Sequence, residues 1–279
     1  ENKVVKLFLE RTRITTPYID GTEIGTQESL CSPHVYDITD YVSDGAHEIV
    51  IRVSNVGYKT KGGHLTSPDT QTNWNGITGR MEIQLFEKNH AENVMIYPDV
   101  TGRAFRITAD MCGDSKGTAF VSAQSFNGSL IHCPETIEIS YSGGKLDCVY
   151  NLGENALLWS EHEPNLYKLK IAVGDDIFMQ TVGLRDFRAC GDKFEINGKK
   201  TFLRGKHDGM IFPKTGFAPT ELEEWLRIMK ISKDYGMNHY RYHTCCPPEA
   251  AFEAADILGI YMEPQLPFWG TIAAPGEEG

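Results

Sequence analysis

The chain has 279 residues, of which 41% are hydrophobic and 23% are charged, and its formal net charge is -11. This composition is typical of a globular protein of about two or three domains, and it excludes a disordered chain. The negative charge is spread without a run of Lys or Arg, which excludes nucleic acid as an expected partner. No apolar run approaches the roughly 20 residues of a membrane span.

The cysteines do not follow a metal-binding pattern. There are seven of them, an odd number, and no C-x-x-C pair occurs, which argues against a zinc site and leaves at least one thiol unpaired. We interpret the adjacent Cys245 and Cys246 as two half-buried thiols rather than a redox switch. Asn127-Gly-Ser129 fits a glycosylation sequon, but so short a pattern usually arises by chance. We expect no metal and no cofactor.

The first region, from Val4 to about Phe86, alternates apolar and polar residues in short runs separated by turn signals. That pattern predicts an antiparallel β-sandwich. Its strands are predicted at Val5–Leu9, Pro17–Asp20, Glu48–Val53 and Met81–Phe86. Because Val4 opens directly on a strong strand, we expect this sandwich to lack its own first strands.

A second all-β region follows from about Asn89 to Val182. Its size suits an immunoglobulin-like sandwich, although the Cys…Trp…Cys spacing of true immunoglobulin domains is absent, so the likeness is architectural only. Its strands are predicted at Arg103–Thr108, Thr118–Ser122, Thr136–Ser140 and Leu166–Ala172.

After Phe187 the periodicity changes to alternating strands and helices. Thr220-x-x-Glu223 is a capping box before an apolar helical face that runs to about Tyr235, and Gly236 suits the left-handed residue that ends a helix. Pro247-Pro248 opens a second helix that Gly259 closes. Three parallel strands are predicted at Thr201–Gly205, Met237–His243 and Ile260–Met262. Right-handed crossovers would place His207, His243 and Glu263 along one rim.

At this point the order of motifs resembles the family 2 glycoside hydrolases, which include β-galactosidases, β-glucuronidases and β-mannosidases. Singly each motif is weak, but eight recur in order. They are Leu9-Glu-Arg-Thr12, Asp20-Gly21 with Gly25, Asn73-Trp-Asn-Gly-Ile77 with Gly79, Leu158-Trp159 with Pro164-x-Leu-Tyr167, Gly183-Leu-Arg-x-Phe187, Phe194-x-Ile-Asn-Gly198, Leu203-Arg-Gly205 and Asp256-x-x-Gly-Ile260.

The resemblance implies a multidomain fold in three parts. Residues 1–88 would form a jelly-roll β-sandwich of the sugar-binding type, and residues 89–186 an immunoglobulin-like β-sandwich. Residues 187–279 would begin a catalytic (β/α)8 TIM barrel with about three strands. A closed barrel needs roughly 250 residues, far more than this last part supplies. We therefore expect a truncated chain.

The resemblance also implies a retaining exo-β-glycosidase, β-galactosidase-like, whose partner is an oligosaccharide or glycoside. Members use two catalytic Glu residues, one after the fourth barrel strand and one near the seventh, and neither position exists here. We therefore predict no catalytic residue in this chain and no activity for it alone. The alternative is a carbohydrate-binding or scaffolding module without glycosidase activity. Relatives are commonly periplasmic or secreted, which we expect here although free thiols favour the opposite; a homo-oligomer is left open.

Family positions suggest several sugar-binding residues at the strand ends. His207 matches a His that hydrogen-bonds sugar hydroxyls, with Asp208 beside it, and the alternative for this pair is a loop cap. Arg241 matches an Arg held against the nucleophile, and its alternative is a structural salt bridge. Relatives usually show Arg-x-Ser-His, whereas here His243 is one place closer to Arg241. It is a pocket residue only if it lies beyond the pleated strand.

The third strand and the first sandwich supply the remaining candidates. Relatives often show Asp-Glu at the third strand end, where this chain has Glu263-Pro-Gln265, and Trp269 could stack on a sugar face or belong to the core. The loop before Gly76 reaches the terminal sugar in relatives. Its candidates are Asp69, Asn73 and Trp74, and the alternative for Trp74 is an anchor between sandwich and barrel.

Overall fold

The computed structural model describes residues 3–57, 63–70 and 74–270. In its first region β1 lies between β5 and β7, and β2 pairs with β3, β4 and β6 in a second small sheet; all of these pairs are antiparallel. The described strands are β1 Lys3–Arg11, β2 Ile14–Ile19, β3 Thr22–Glu23, β4 Gln27–Glu28, β5 His34–Asp37, β6 Ile49–Ser54 and β7 Thr78–Glu87, with a 3-10 helix at Thr39–Tyr41.

The two small sheets share one core. Leu7 and Leu9 alternate along β1 and point to the same side, where they pack with Ile19, Tyr36 and Ile38. The four strands predicted for this region all lie within or overlap observed strands. Its assignment as a jelly-roll of the sugar-binding type stays a prediction.

The second region forms a seven-stranded antiparallel sheet in the order β14-β13-β10-β11-β12-β9-β8. Along β12 every second residue is buried, namely Leu146, Cys148 and Tyr150, and these pack with the buried residues of β9, β10 and β13 in one core. The strands are β8 His90–Asp99, β9 Ala104–Cys112, β10 Lys116–Ser125, β11 Ile137–Ser142, β12 Lys145–Asn151, β13 Tyr167–Val173 and β14 Asp176–Val182. The immunoglobulin-like type stays a prediction.

The last region opens with a small antiparallel sheet, which corrects one predicted strand. β16 pairs with both β15 and β17. Because Thr201 belongs to β17 and pairs with Phe194, the predicted parallel strand at Thr201–Gly205 is wrong, and the first parallel strand begins at Gly205. The strands are β15 Phe187–Cys190, β16 Lys193–Ile196 and β17 Lys199–Thr201.

Three parallel strands and two helices follow. The sheet order is β18-β19-β20, so the strands lie side by side in chain order and their carboxyl ends meet at one edge. The elements are β18 Gly205–Asp208, α1 Leu222–Asp234, β19 His239–Tyr242, α2 Glu249–Leu258 and β20 Tyr261–Glu263.

Both helices begin and end largely as the sequence predicts. α1 buries Trp225 and Met229, and it ends at Gly236 with φ +83°, the left-handed residue that we expected there. Its N-cap is Glu221, and no side chain caps it, so the predicted capping box is wrong. α2 follows Pro248 and ends at Gly259 with φ +71°.

Hydrogen bonds from Trp159 and Asn127 tie the second region to α2. Trp159 Nε1 donates to the Asp256 carbonyl oxygen over 2.7 Å. Asn127 Nδ2 donates to the carbonyl oxygens of Pro164 and Ile257 over 2.8 and 2.9 Å, so the sequon asparagine uses both amide hydrogens inside the protein. These contacts hold the parallel sheet against a rigid β scaffold.

Candidate functional site

Alternate residues of the parallel strands face opposite sides of the sheet. Tyr240 and Tyr242 of β19 are fully buried beneath the helices. Arg241 lies between them in sequence and therefore faces the other, open side. Its partners in register are His207 on β18 and Glu263 on β20. The open side therefore places three polar side chains at the carboxyl ends of neighbouring strands.

Arg241 is the centre of the polar group on the open side. Its Nη1 lies 3.2 Å from His207 Nδ1 and 3.5 Å from His243 Nδ1. Its Nη2 donates to Gln265 Oε1 over 3.2 Å, and its Nε lies 3.5 Å from Glu263 Oε1. We call the following residues the rim cluster: His64, His207, Arg241, His243, Glu263, Gln265 and Trp269.

The guanidinium of Arg241 influences the protonation of the His243 ring. A guanidinium has donors only, so a ring nitrogen that it contacts must accept and carry no proton. Burial lowers the pKa of His243, and the charge of Arg241 lowers it further. His243 is therefore neutral at pH 7, with its proton on Nε2, where it can donate to a ligand.

Gln265 and Trp269 complete the outer part of the rim cluster. Gln265 Oε1 also accepts from the Thr244 amide over 3.0 Å, and Trp269 Nε1 donates to Thr244 Oγ1 over 2.7 Å. The Trp269 ring centroid lies 6.3 Å from that of His243, and the residue is 41% exposed. An aromatic surface that is still partly open thus lies beside the neutral His243 ring.

His64 is a member of the rim cluster that the sequence reasoning missed. Its ring centroid lies 6.1 Å from that of His243, and its amide donates to Thr244 Oγ1 over 3.2 Å. A Cβ at residue 209 would lie 2.9 Å from His64 Nε2, so Gly209 makes room for the ring. Burial lowers the pKa of His64. The sequence held part of the signal, because His64 lies in the loop that was expected to reach the sugar, but its place beside His243 depends on tertiary packing.

Asp208 does not join the rim cluster. It is in register with Tyr242, on the helix-facing side, where it accepts from Lys206 Nζ over 2.9 Å and from the Met210 amide over 2.6 Å. These contacts favour the loop cap, the alternative interpretation. His207 differs, because it is exposed and contacts Arg241 on the open side.

The candidates from the first region are not brought into the rim cluster either. Trp74 is buried, with the Arg13 guanidinium 4.9 Å from its ring and Arg13 Nε donating to its carbonyl oxygen, so it packs within the first region. Its role as an anchor between sandwich and barrel stays a prediction. Asp69 is exposed, and its amide donates to Ser67 Oγ. Asn73 lies outside the described residues.

In the part of the chain that the structure describes, one cluster of residues has side chains of the kind that bind metal ions, and it lies away from the rim cluster. Donor atoms of His90, Glu92 and Cys112 lie within 4.8 Å of one another. The Lys6 ammonium group already pairs with Glu92, and His90 contacts Glu92 and the Glu87 carbonyl oxygen over 2.7 Å each. Because Glu92 and His90 already contact other groups of the protein, this cluster does not indicate a bound ion.

Known proteins resemble this chain over nearly its whole length. No family model matches it. A Formosa agariphila protein with the provisional name beta-glucuronidase is 27% identical over 284 residues, covering 96% of this chain and 33% of that protein. The Clostridium acetobutylicum beta-galactosidase is 24% identical over 255 residues, covering 88% of this chain and 27% of that protein. The structure of Bacteroides uniformis beta-glucuronidase matches with a TM-score of 0.77 at 20% identity, covering 99% of this chain and 35% of that one.

A second solved structure carries the family name. It is a glycosyl hydrolase family 2 member from Bacteroides cellulosilyticus, with a TM-score of 0.71 at 18% identity, covering 95% of this chain and 38% of that one. The chain resembles the family 2 glycoside hydrolases. The resemblance that the motifs predicted is confirmed, and at these identities the solved structures show the family 2 fold. The chain spans between 27% and 42% of the length of the first curated relatives.

The structure describes no helix that is long and apolar enough to cross a membrane.

Proposed function

We propose that this chain is the non-catalytic segment of a retaining exo-β-glycosidase, and that its rim cluster binds the sugar. The observation that carries the proposal is the convergence of His207, Arg241 and Gln265 at the carboxyl ends of parallel strands. In barrels built of such strands, active sites lie at that edge. The relatives named beta-glucuronidase and beta-galactosidase support the same reaction class.

The chemistry of the rim cluster suits a sugar. Sugar hydroxyls both donate and accept hydrogen bonds, and the rim cluster offers imidazole, guanidinium and amide groups within one small area. The indole of Trp269 offers a flat apolar surface for the C–H side of a pyranose. His64 comes from the first region and borders one side of the rim cluster, whose other members belong to the last region. A bound sugar would therefore contact both the first and the last region.

The number of available carboxylates suggests that this segment does not hydrolyse a glycoside by itself. Retaining hydrolysis needs two carboxyl groups roughly 5–5.5 Å apart, one as acid and one as nucleophile. Among the described residues of the rim cluster, Glu263 is the one carboxylate. It is already engaged, at 3.5 Å from Arg241 Nε and 3.3 Å from His239 Nε2. The segment therefore supplies sugar contacts, and the acid and nucleophile come from outside it.

A binding experiment tests the proposed sugar contacts. The 279-residue chain is titrated with methyl β-galactoside, β-glucuronide and β-mannoside, and saturation-transfer NMR reports contact. We expect one of them to bind, and Trp269→Ala and His207→Ala each to weaken it at least tenfold. Arg106→Ala is the matched control, because this exposed Arg pairs with Asp147 in the second region. Equal binding by all four proteins would exclude the rim cluster as the sugar site.

An activity experiment separates the proposal from the binding-module alternative. The chain is incubated with aryl β-glycosides of the same three sugars, and we expect no release of the phenol. A longer protein that contains this segment is then assayed on the same panel. Hydrolysis by the longer protein supports the glycosidase, whereas sugar binding without hydrolysis supports a carbohydrate-binding or scaffolding module. Turnover by the 279-residue chain would refute its non-catalytic role.

A further inference from the structure

Three cysteines meet where the first region touches the segment after β19. Cys245 is fully buried in the apolar core beneath the helices, and burial raises the pKa of its thiol to about 12. Cys246 and Cys31 are both half-buried and line the same pocket, and each thiol lies close enough to shift the pKa of the other. The close partner of Cys246 is therefore Cys31, far away in the sequence, rather than its neighbour Cys245.

Both thiols are open to small solutes. Cys31 and Cys246 line a surface pocket of about 380 Å³, together with Arg11, Pro247 and Phe252. Arg11 reaches across the contact, and its Nη2 donates to the Cys246 carbonyl oxygen over 2.6 Å. The pocket thus brings together two thiols, a fixed positive charge and access from solvent.

The surroundings favour a thiolate at Cys31. The neighbouring Cys246 thiol lowers the pKa of Cys31 to about 7, and the Arg11 charge acts in the same direction against the effect of burial. The Cys31 side chain raises the pKa of Cys246, with burial adding to the increase. Since the thiolate is the reactive form, Cys31 is the attacking sulfur of the pair and Cys246 is the second thiol.

We propose that Cys31 and Cys246 form a reversible disulfide that links the first region to the segment after β19, by exchange with a small-molecule disulfide such as oxidised glutathione. The Cys31 thiolate attacks one sulfur of oxidised glutathione, the glutathione disulfide bond breaks, and one glutathione thiolate leaves. Cys246 then loses its proton to solvent, and its sulfur attacks Cys31 and displaces the second glutathione. Two protein thiols are oxidised and one glutathione disulfide is reduced to two thiols.

The proposed disulfide would act next to the rim cluster. His243 and Thr244 immediately precede Cys245 and Cys246, and Thr244 holds both Trp269 and the His64 amide. A covalent link at Cys246 would therefore restrain the segment that positions these side chains. This consequence concerns a site of modification and holds whether or not the rim cluster binds sugar.

The test is a redox titration of the 279-residue chain with peptide mapping. The chain is equilibrated in buffers of increasing ratio of oxidised to reduced glutathione, free thiols are blocked with N-ethylmaleimide, and linked peptides are identified by mass spectrometry. We expect a Cys31–Cys246 linked peptide that dithiothreitol removes. It should be lost in Cys31→Ser and in Cys246→Ser, and it should persist in Cys245→Ser. Circular dichroism checks that each variant is folded, and Cys31→Ala replaces Cys31→Ser if the latter is not.

The exposed Cys133 and Cys190 are internal controls, because they should take up glutathione without forming this link. In a parallel measurement at about pH 7, Cys31 should react with iodoacetamide at least tenfold faster than the buried Cys245. The proposal is overturned if Cys31 stays free or keeps a bound glutathione while Cys133 and Cys190 are modified. A Cys245–Cys246 linkage in place of Cys31–Cys246 would overturn it equally.

Discussion

The two sides of the parallel sheet differ sharply although they come from the same three strands. On the helix-facing side, Tyr240 and Tyr242 are fully buried, and the Tyr242 ring contacts Trp225 edge-on. On the open side, His207 and Glu263 are exposed and Arg241 is half-buried between them. The period of two along a strand thus assigns neighbouring residues to different tasks. One side holds the fold together, and the other exposes polar groups.

The largest expected effect tests the helix-facing side. Trp225 is fully buried, contacts Phe212 and Tyr242 edge-on, and donates from Nε1 to the Pro219 carbonyl oxygen. Trp225→Ala should lower the free energy of unfolding by about 3–5 kcal/mol, because it leaves a large cavity. Urea denaturation followed by circular dichroism measures it. Tyr235→Ala, at a position that is 83% exposed, is the control and should change little. A small loss for Trp225→Ala would mean that the helix-facing side is not a packed core.

The second prediction compares the glycines that follow α1 and α2. Gly236 and Gly259 both adopt the left-handed conformation, but a Cβ at Gly236 would meet open space, whereas one at Gly259 would lie 2.8 Å from the Glu161 carbonyl oxygen. Gly236→Ala should cost about 1–2 kcal/mol of unfolding free energy, which is the left-handed penalty alone. Gly259→Ala should cost about 3 kcal/mol, because a steric clash with rigid backbone adds to that penalty. Equal costs, measured by urea denaturation, would show that α2 does not pack on the second region as described.

Local patterns in the sequence predicted much of this fold. Alternation located four strands in each β region, and Gly236 and Gly259 marked the two helix ends, because strand periodicity and left-handed caps depend on residues close in sequence. The first parallel strand was misplaced for a different reason. Lys199–Thr201 is a good strand, but it pairs with β16 instead of with β19, and pairing is a tertiary choice that a local pattern does not record.

The same contrast between local sequence pattern and tertiary packing applies to the rim cluster. His243 lies just past the end of β19 and contacts Arg241 on the open side. His64 was missed, because its place beside His243 depends on how the first region docks on the parallel sheet. Asp208 lies on the helix-facing side, since its adjacency to His207 in sequence sends it to the opposite face. The positions of His64 and Asp208 thus depend on how the regions pack together and on which side of the sheet a residue faces, rather than on residue type.

A smaller effect is the pH dependence of the free energy of unfolding, to which histidines on the open side contribute. Burial lowers the pKa of His239 and of His243 below 6.5. Between the folded pKa and 6.5, the unfolded chain therefore binds more protons than the folded chain, so stability rises with pH and is lost as pH falls through 6.5. For each such histidine, the change is at most about 1.4 kcal/mol per pH unit. The free energy of unfolding should accordingly fall between about pH 7.5 and pH 5.5.

Two histidine variants assign this pH dependence. His239→Asn should make the fall in stability shallower, because it removes one group with a lowered pKa. His47→Asn should make it steeper, since its hydrogen bond to Asp20 raises the pKa of His47, and so its contribution has the opposite sign. Comparing each variant with the unmodified chain cancels other groups, including Asp256, whose pKa burial raises to about 6. Urea denaturation at each pH gives the slopes, and identical slopes for all three proteins would contradict the assignment.

The smallest effect on stability should come from Arg241 itself, although it is the centre of the rim cluster. Arg241→Met should change the free energy of unfolding by less than about 1 kcal/mol, because its partners on the open side can turn to water. The same substitution should raise the pKa of His243, since it removes both a repelling positive charge and a donor that favours the neutral ring.

Titration of the His243 ring proton by NMR measures that rise, and Arg106→Met, on β9 in the second region, is the control that should leave it unchanged. A large loss of stability in Arg241→Met would mean that the open side also holds the fold together. An unchanged pKa would mean that Arg241 and His243 do not meet. Either result would remove the division of tasks between the two sides, and with it the physical basis for assigning the open side to ligand binding.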